Sequence, residues 1–214
     1  MKFSLRLLES DTEIRSQILN AMKSDIDAAL TATARSIKQD IFDIVKDALE
    51  TEPEFSSLIA GELRKEFGIQ DTSNVQMAVN NIANSIIIDK VPVSINNTGI
   101  SGGLKISIIN NRDYGGALGD TSAFVVDDQR GYSLPWLEWL LLKGNQIIVR
   151  DFAVKFGPNP NSRTGDAIMV PSSSNWRVPP EFAGTITDNW TTRALSKIDD
   201  KITSIIQSAF VRNL

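Results

Sequence analysis

Ser10 to Thr51 reads SDTEIRSQILNAMKSDIDAALTATARSIKQDIFDIVKDALET, forty-two residues with neither Gly nor Pro. Apolar side chains return every three or four positions, at Ile14, Ile18, Met22, Ile26, Leu30, Ala34, Ile37, Ile41, Ile44 and Ala48. That spacing marks one face of an α-helix. Asp11 or Thr12 is placed to cap it, and Glu13 suits its first turn. Forty helical residues would span about 60 Å. A small domain is narrower than that, so part of the stripe is expected to meet another subunit.

Beyond this helix, Glu52 and Pro53 stop the pattern, and Pro53 suits the first position of a second helix. Phe55, Leu58, Ile59, Leu63 and Phe67 form its apolar face, and Gly68 closes it. Thr72 or Ser73 opens a third, shorter helix through Val75, Ala78 and Ile82. After that the period changes. Ser85–Ile95 and Leu104–Ile109 read as strands around the turn Asn96–Gly99, with Pro92 marking the first as an edge or bulged strand. Ser122–Val126, Gln146–Phe156 and Asp166–Val170 read as further strands. Between them lie an apolar helix at Pro135–Leu142 and a loop at Gly157–Ser162. A helix from about Asp188 to Val211 ends the chain. The expected fold is α+β: long N-terminal helices, then a small, mostly antiparallel sheet with a short apolar helix and a C-terminal helix. The expected division is a helical region over 1–70 and an α+β domain over 71–214.

Composition narrows the chemistry. The 214 residues contain no Cys and no His. That excludes disulfides, thiolate or imidazole metal sites, cysteine nucleophiles and a Ser–His–Asp triad. The net charge is −4, with the acidic excess in residues 1–70 and balance in 71–214. Free nucleic acid and anionic membranes both demand a basic face, so neither is the expected main partner. No run approaches the roughly 20 apolar residues of a membrane span. Met1–Leu8 lacks the apolar core and cleavage site of a secretory signal.

The remaining motifs are weak as chemistry. Ser162–Met169 lacks the glycine spacing and Lys of a phosphate loop, and Gly102-Gly103 and Gly115-Gly116 open no periodic helix. Asp127-Asp128 and Asp199-Asp200 are neighbours in sequence and point apart, whereas glycosidase chemistry needs two carboxylates facing across a cleft. The loop Asp127–Gly131 lacks the acidic spacing of an EF-hand. No catalytic, cofactor-binding or metal-binding residue is therefore assigned, and no cofactor is expected. The four tryptophans, Trp136, Trp139, Trp176 and Trp190, have two readings: the aromatic core of the second half, or anchors of a subunit contact. Arg163 and Arg177 join them as candidate interface anchors. Arg163, Arg177 and Arg193 together would be the contacts of a DNA adaptor.

Three motifs in order carry a resemblance. They are Pro135-Trp136-Leu137-Glu138-Trp139-Leu140-Leu141; Ser162-Arg163-Thr164-Gly165 with Ala167-Ile168-Met169; and Trp176-Arg177-Val178-Pro179 with Glu181–Thr185 and Asp188-Asn189-Trp190. With Phe55–Gly68 before them, they resemble virion structural proteins of tailed bacteriophages, in the neck and tail-completion (head–tail joining) group. The resemblance covers roughly residues 50–195. It implies N-terminal helices with a small antiparallel sheet and no catalytic residues. It also implies a homo-oligomeric ring, assembled in the host cytoplasm into the virion, that joins the head connector to the tail. Its partners would be itself and other neck, connector or tail proteins, with DNA passing nearby and no membrane. A baseplate or tail-tube-end protein is the alternative placement, and a carboxylate-dependent glycan-cleaving particle enzyme is the rival from another class.

Overall fold

The computed structural model describes residues 10–96, 99–108, 114–127 and 131–214. The chain is α+β, with eight helices and eight strands among the described residues. Its described residues form two compact units whose segments interleave: 10–39, 87–96, 99–107 and 202–214 make the first, and 40–86, 108, 114–127 and 131–201 the second.

In the first unit, α1 (Asp11–Ser36) begins one residue earlier than the sequence suggests. Ser10 is its cap, joined to Glu13 by reciprocal hydrogen bonds, and these hold the Glu13 carboxyl below its ordinary pKa. The long helix is not continuous. It breaks at Ile37 before α2 (Lys38–Thr51). Ile37 is the C-cap of α1, and its amide still donates to the Thr33 carbonyl, an acceptor that the Ser36 hydroxyl shares. Only the last turns of α1 are buried, at Ala29, Leu30 and Thr33. Strands β1 (Ile86–Asn96) and β2 (Gly99–Ile108) pair as a hairpin. A link of two residues between paired strands requires them to be antiparallel. Lys90 on β1 reaches Asp27 at 2.8 Å and Thr31 at 3.2 Å. At the other end of the chain, Asn213 donates to Thr33, Ser36 and the Ala209 carbonyl.

The second unit holds most of the core. α2 buries Ile41, Val45 and Leu49. α3 (Pro53–Ala60) starts on Pro53 as expected, and α4 (Glu62–Phe67) ends on Gly68 in the left-handed conformation, φ 72°. A break at Gly61 separates them, because the Leu63 amide leaves the helical ladder and donates to the Ser57 hydroxyl. α5 (Ser73–Asn84) buries Val75, Ala78, Val79 and Ile82 and packs on α3 and on 3-10 turns at Tyr114–Gly119 and Thr121–Ala123. The last turn occupies part of the expected strand Ser122–Val126, leaving only β3 (Val125–Asp127), which pairs with β4 (Tyr132–Leu134).

α6 (Trp136–Leu142) lies where the apolar run predicts it and packs on α7 (Trp190–Ser196). The strand expected over Gln146–Phe156 is two: β5 (Ile147–Val149) and β6 (Phe152–Phe156), with a corner at Asp151, φ 58°. Asn175 accepts from the Asp151 amide and the Asp151 carbonyl accepts from Ser172, so the corner is hydrogen-bonded on both sides. β6 pairs antiparallel with β7 (Ala167–Pro171), and β5 with β8 (Trp176–Arg177). The strands thus form four separate two-stranded ladders in place of one sheet. The C-terminal helix is likewise split, and α8 (Asp199–Asn213) follows a tightened turn at Lys197-Ile198.

The turn that leads into α7 is close-packed against the end of α6. A Cβ on Gly184 would lie 2.5 Å from the Leu140 carbonyl and 2.6 Å from Asn189 Cβ. Neither neighbour is a flexible side-chain end. Gly184→Ala is therefore expected to cost about 2–3 kcal/mol, the upper part of the overpacking range, read as a lower urea midpoint with an unchanged slope. A midpoint equal to that of the native chain would disprove the close fit.

Candidate functional site

Three of the four tryptophans build the core. Trp136 begins α6, is fully buried, and donates its indole N–H to the Ser122 carbonyl at 2.9 Å. Trp190 begins α7, is fully buried, and donates to the Leu49 carbonyl at 3.0 Å. Trp176 on β8 is buried too, and Phe67 lies between Trp136 and Trp176, with ring centroids at 6.4 and 6.1 Å. These side chains leave almost no area for a second molecule, so the core reading describes them. Trp139 is half-buried.

The arginines are engaged within the second unit. Arg163 donates to Asp127 at 2.8 Å and to the Tyr132 hydroxyl at 2.6 Å, and its guanidinium stands 5.4 Å from the Tyr132 ring centroid. Gln70 donates to its carbonyl. Arg163 thereby ties the 157–166 loop to the β3–β4 hairpin. Arg177 donates to Asn145 at 3.0 Å. Arg193 pairs with Glu54 and with Asp188. Each guanidinium therefore has part of its five donors engaged inside the unit.

The sequence offered no signal for the acidic cluster at the α2–α3 junction. Glu52 and Glu54 are both buried, although they flank the exposed-looking Pro53. Lys197 grips both oxygens of Glu52, at 2.7 and 2.8 Å, and Arg193 reaches one oxygen of Glu54. Burial opposes the charge on Arg193, but hydrogen bonds and attraction from Glu54 and Asp188 outweigh it and raise its pKa. Asn189 is a second buried polar node. It caps α7, accepts from the Thr192 amide, and donates to the Tyr114 hydroxyl at 2.8 Å and the Thr185 carbonyl at 2.7 Å.

Glu66 is the acid with a proton near neutrality. Burial, then the neighbouring charge of Glu62, raises its pKa to about 7, with the Trp176 indole N–H opposing the rise and Glu181 adding to it. That N–H is buried and closes no hydrogen bond of its own. A raised carboxyl means that the folded chain holds a proton which the unfolded chain has released. Stability therefore falls as pH rises from about 4.5 to about 7. Because Glu66 is only partly buried, solvent screening reduces this to about 1–2 kcal/mol. Glu66→Gln is expected to abolish that slope in urea titrations at pH 5 and pH 8. An unchanged slope would disprove the assignment.

Asp127 and Asp199-Asp200 fit structural roles: Asp127 holds Arg163, and the aspartate pair occupies the first turn of α8. Asp128 and most of the Asp127–Gly131 loop lie outside the described residues, as do Met1–Leu8, Asn97, Thr98 and Ile109. Among the described residues no group of three or more carboxylates is arranged to hold a metal ion, and no helix is long and apolar enough to cross a membrane.

What the chain does present is apolar surface. Ile18 and Met22 on α1 are 54% and 48% exposed. Val91 and Ile95, which share a face of β1, are exposed around the buried Val93. In the second unit, Phe156 and Met169 are exposed on one face of the β6–β7 hairpin, where the register also places Phe152, Val154, Ala167 and Pro171. The alternate face carries Ala153, Lys155, Ile168 and Val170. No protein-family model, curated protein or solved structure matches the chain.

Proposed function

We propose that the chain is a non-enzymatic structural protein of a tailed-phage particle, forming a homo-oligomeric ring in the neck or tail-completion region that joins the head connector to the tail. The observation that carries this reading is the bare apolar surface on both units: Ile18 and Met22 on one, Phe156 and Met169 on the other. Clustered exposed apolar side chains mark surfaces that assemble. The motifs of residues 50–195 supply the phage context by resemblance. The buried carboxylates Glu52 and Glu54 are each tied to a cation, which favours a structural over a glycan-cleaving role.

Immunogold labelling of virions tests the proposal. Label at the head–tail junction is expected. Label at the distal tail tip would move the chain to the baseplate or tube end, and absence from mature particles would overturn the phage reading altogether.

A further inference from the structure

Ile18 and Met22 stand exposed on one face of α1, with Ile14 and Ile26 half-buried at either end of the row. The helix around them, residues 11–28, carries four acidic and two basic side chains. Lys90 answers one of the acids, Asp27, and Asp25 lies exposed one turn beyond Met22. A surface that is apolar along its ridge and acidic beside it selects a basic, apolar occupant. A second α1 would bring the same acidic excess, and nucleic acid or anionic lipid would add more negative charge.

The chain carries such an occupant next to the stripe. Residues 2–8, which precede the Ser10 cap and lie outside the described residues, read Lys-Phe-Ser-Leu-Arg-Leu-Leu, with two basic and no acidic side chains. Phe3, Leu5 and Leu7 alternate with polar residues, the pattern of an extended segment with one apolar face. The reach fits as well. Ile18 and Met22 are eight and twelve residues beyond Ser10, about 12 and 18 Å along the helix. Leu5 and Phe3 are five and seven residues before it, up to about 17 and 23 Å of extended chain. The surplus of about 5 Å in each case covers the reversal of direction at the cap. The same register sets Lys2 level with Asp25. A tethered segment also meets the stripe at an effective concentration of about millimolar, which no separate molecule of similar chemistry matches in dilute solution.

We infer that residues 2–8 dock on the α1 stripe of their own chain and screen Ile18 and Met22 until an assembling partner displaces them. The screening rests on the self-association proposed above, whereas the docking stands apart from it.

Because the chain has no cysteine, two double variants of the full chain report the contact without background. Leu5→Cys with Ile18→Cys joins the segment to the stripe. Leu5→Cys with Asn20→Cys offers an exposed position nearby on the opposite side of the helix. With oxidised glutathione in dilute solution, the first pair is expected to close an internal disulfide about tenfold faster than the second, because docking raises its effective concentration. Lys2→Glu with Arg6→Glu is expected to remove that advantage, and rising salt to reduce it. Equal rates at Ile18 and Asn20, or a disulfide that forms only between two chains, would overturn the inference. Deleting residues 2–8 reads the screening. The shortened chain is expected to sediment as a larger species than the full chain at the same concentration, and Ile18→Ser with Met22→Ser to reverse the gain. A faster disulfide at Ile18 with no gain in sedimentation would uphold the docking and sink only the assembly reading of this stripe.

Discussion

Trp190→Ala is expected to lower the unfolding free energy by about 3–5 kcal/mol, the range for truncating a large aromatic side chain in a packed core. Two observations place it there. The side chain is fully buried at the first position of α7, and its N–H is the donor to the Leu49 carbonyl near the C-terminal end of α2. The Leu49 carbonyl accepts both the indole and the Glu52 amide, the latter at 3.3 Å, so removing the indole leaves a cavity and takes away one of that acceptor's two donors. The second effect adds about 1 kcal/mol. Trp190→Phe separates the two, because it keeps most of the ring volume and loses the donor. It should cost about 1–2 kcal/mol, less than half the alanine value. Urea unfolding followed by circular dichroism measures both. A loss below about 1.5 kcal/mol for the alanine variant would mean that the site collapses around the deletion and that Trp190 is not a keystone.

That residue also shows what could be read from the chain alone. The run Pro135–Leu142, the start at Pro53 and the stop at Gly68 are local signals: an apolar helix, a fixed φ and a left-handed cap. Each appears where composition places it. The failures share another cause. At Gly61 and Asp151 side-chain oxygens of Ser57 and Asn175 take over backbone amides, and apolar periodicity carries no record of that. Ser85–Ile95 and Gln146–Phe156 had the right composition for strands, but pairing depends on residues distant in sequence. Four separate ladders were therefore not legible where one sheet was expected. Tryptophan content pointed to the right residues and left two roles open. Only burial separates Trp136 and Trp190, with nothing to offer a partner, from Ile18 and Phe156, whose surface is free. Glu54 was the least accessible to reasoning. A glutamate after a helix-starting proline looks solvated, and only the fold brings Arg193 to it across 139 positions of chain.

Removing that arginine is the second large effect. Arg193→Ala is expected to destabilise the chain by about 2–4 kcal/mol, somewhat below the usual cost of breaking a fully buried pair because Arg193 keeps contact with solvent. The loss falls on Glu54, whose side chain is 1% exposed and whose second oxygen already lacks a hydrogen-bond partner. Without the guanidinium, a buried carboxylate has no counter-charge. Neutralising the acid should therefore rescue the variant. Glu54→Gln alone is expected to cost about 1 kcal/mol, since Arg193 can turn to Asp188 and water. Arg193→Ala with Glu54→Gln should then be less damaging than the two single losses added, with a coupling of at least about 1 kcal/mol. Lys197→Ala supplies the contrast: Lys197 is 65% exposed but grips both oxygens of a buried Glu52, so Glu52→Gln should rescue that loss independently. If the Arg193 and Glu54 losses simply add, Arg193 holds α7 through its packing and through Asp188, and the charge on Glu54 is neutralised by some other means. A measured coupling would establish the ion pair as the tie between the starts of α3 and α7, beside the bond by which Trp190 ties α7 to α2.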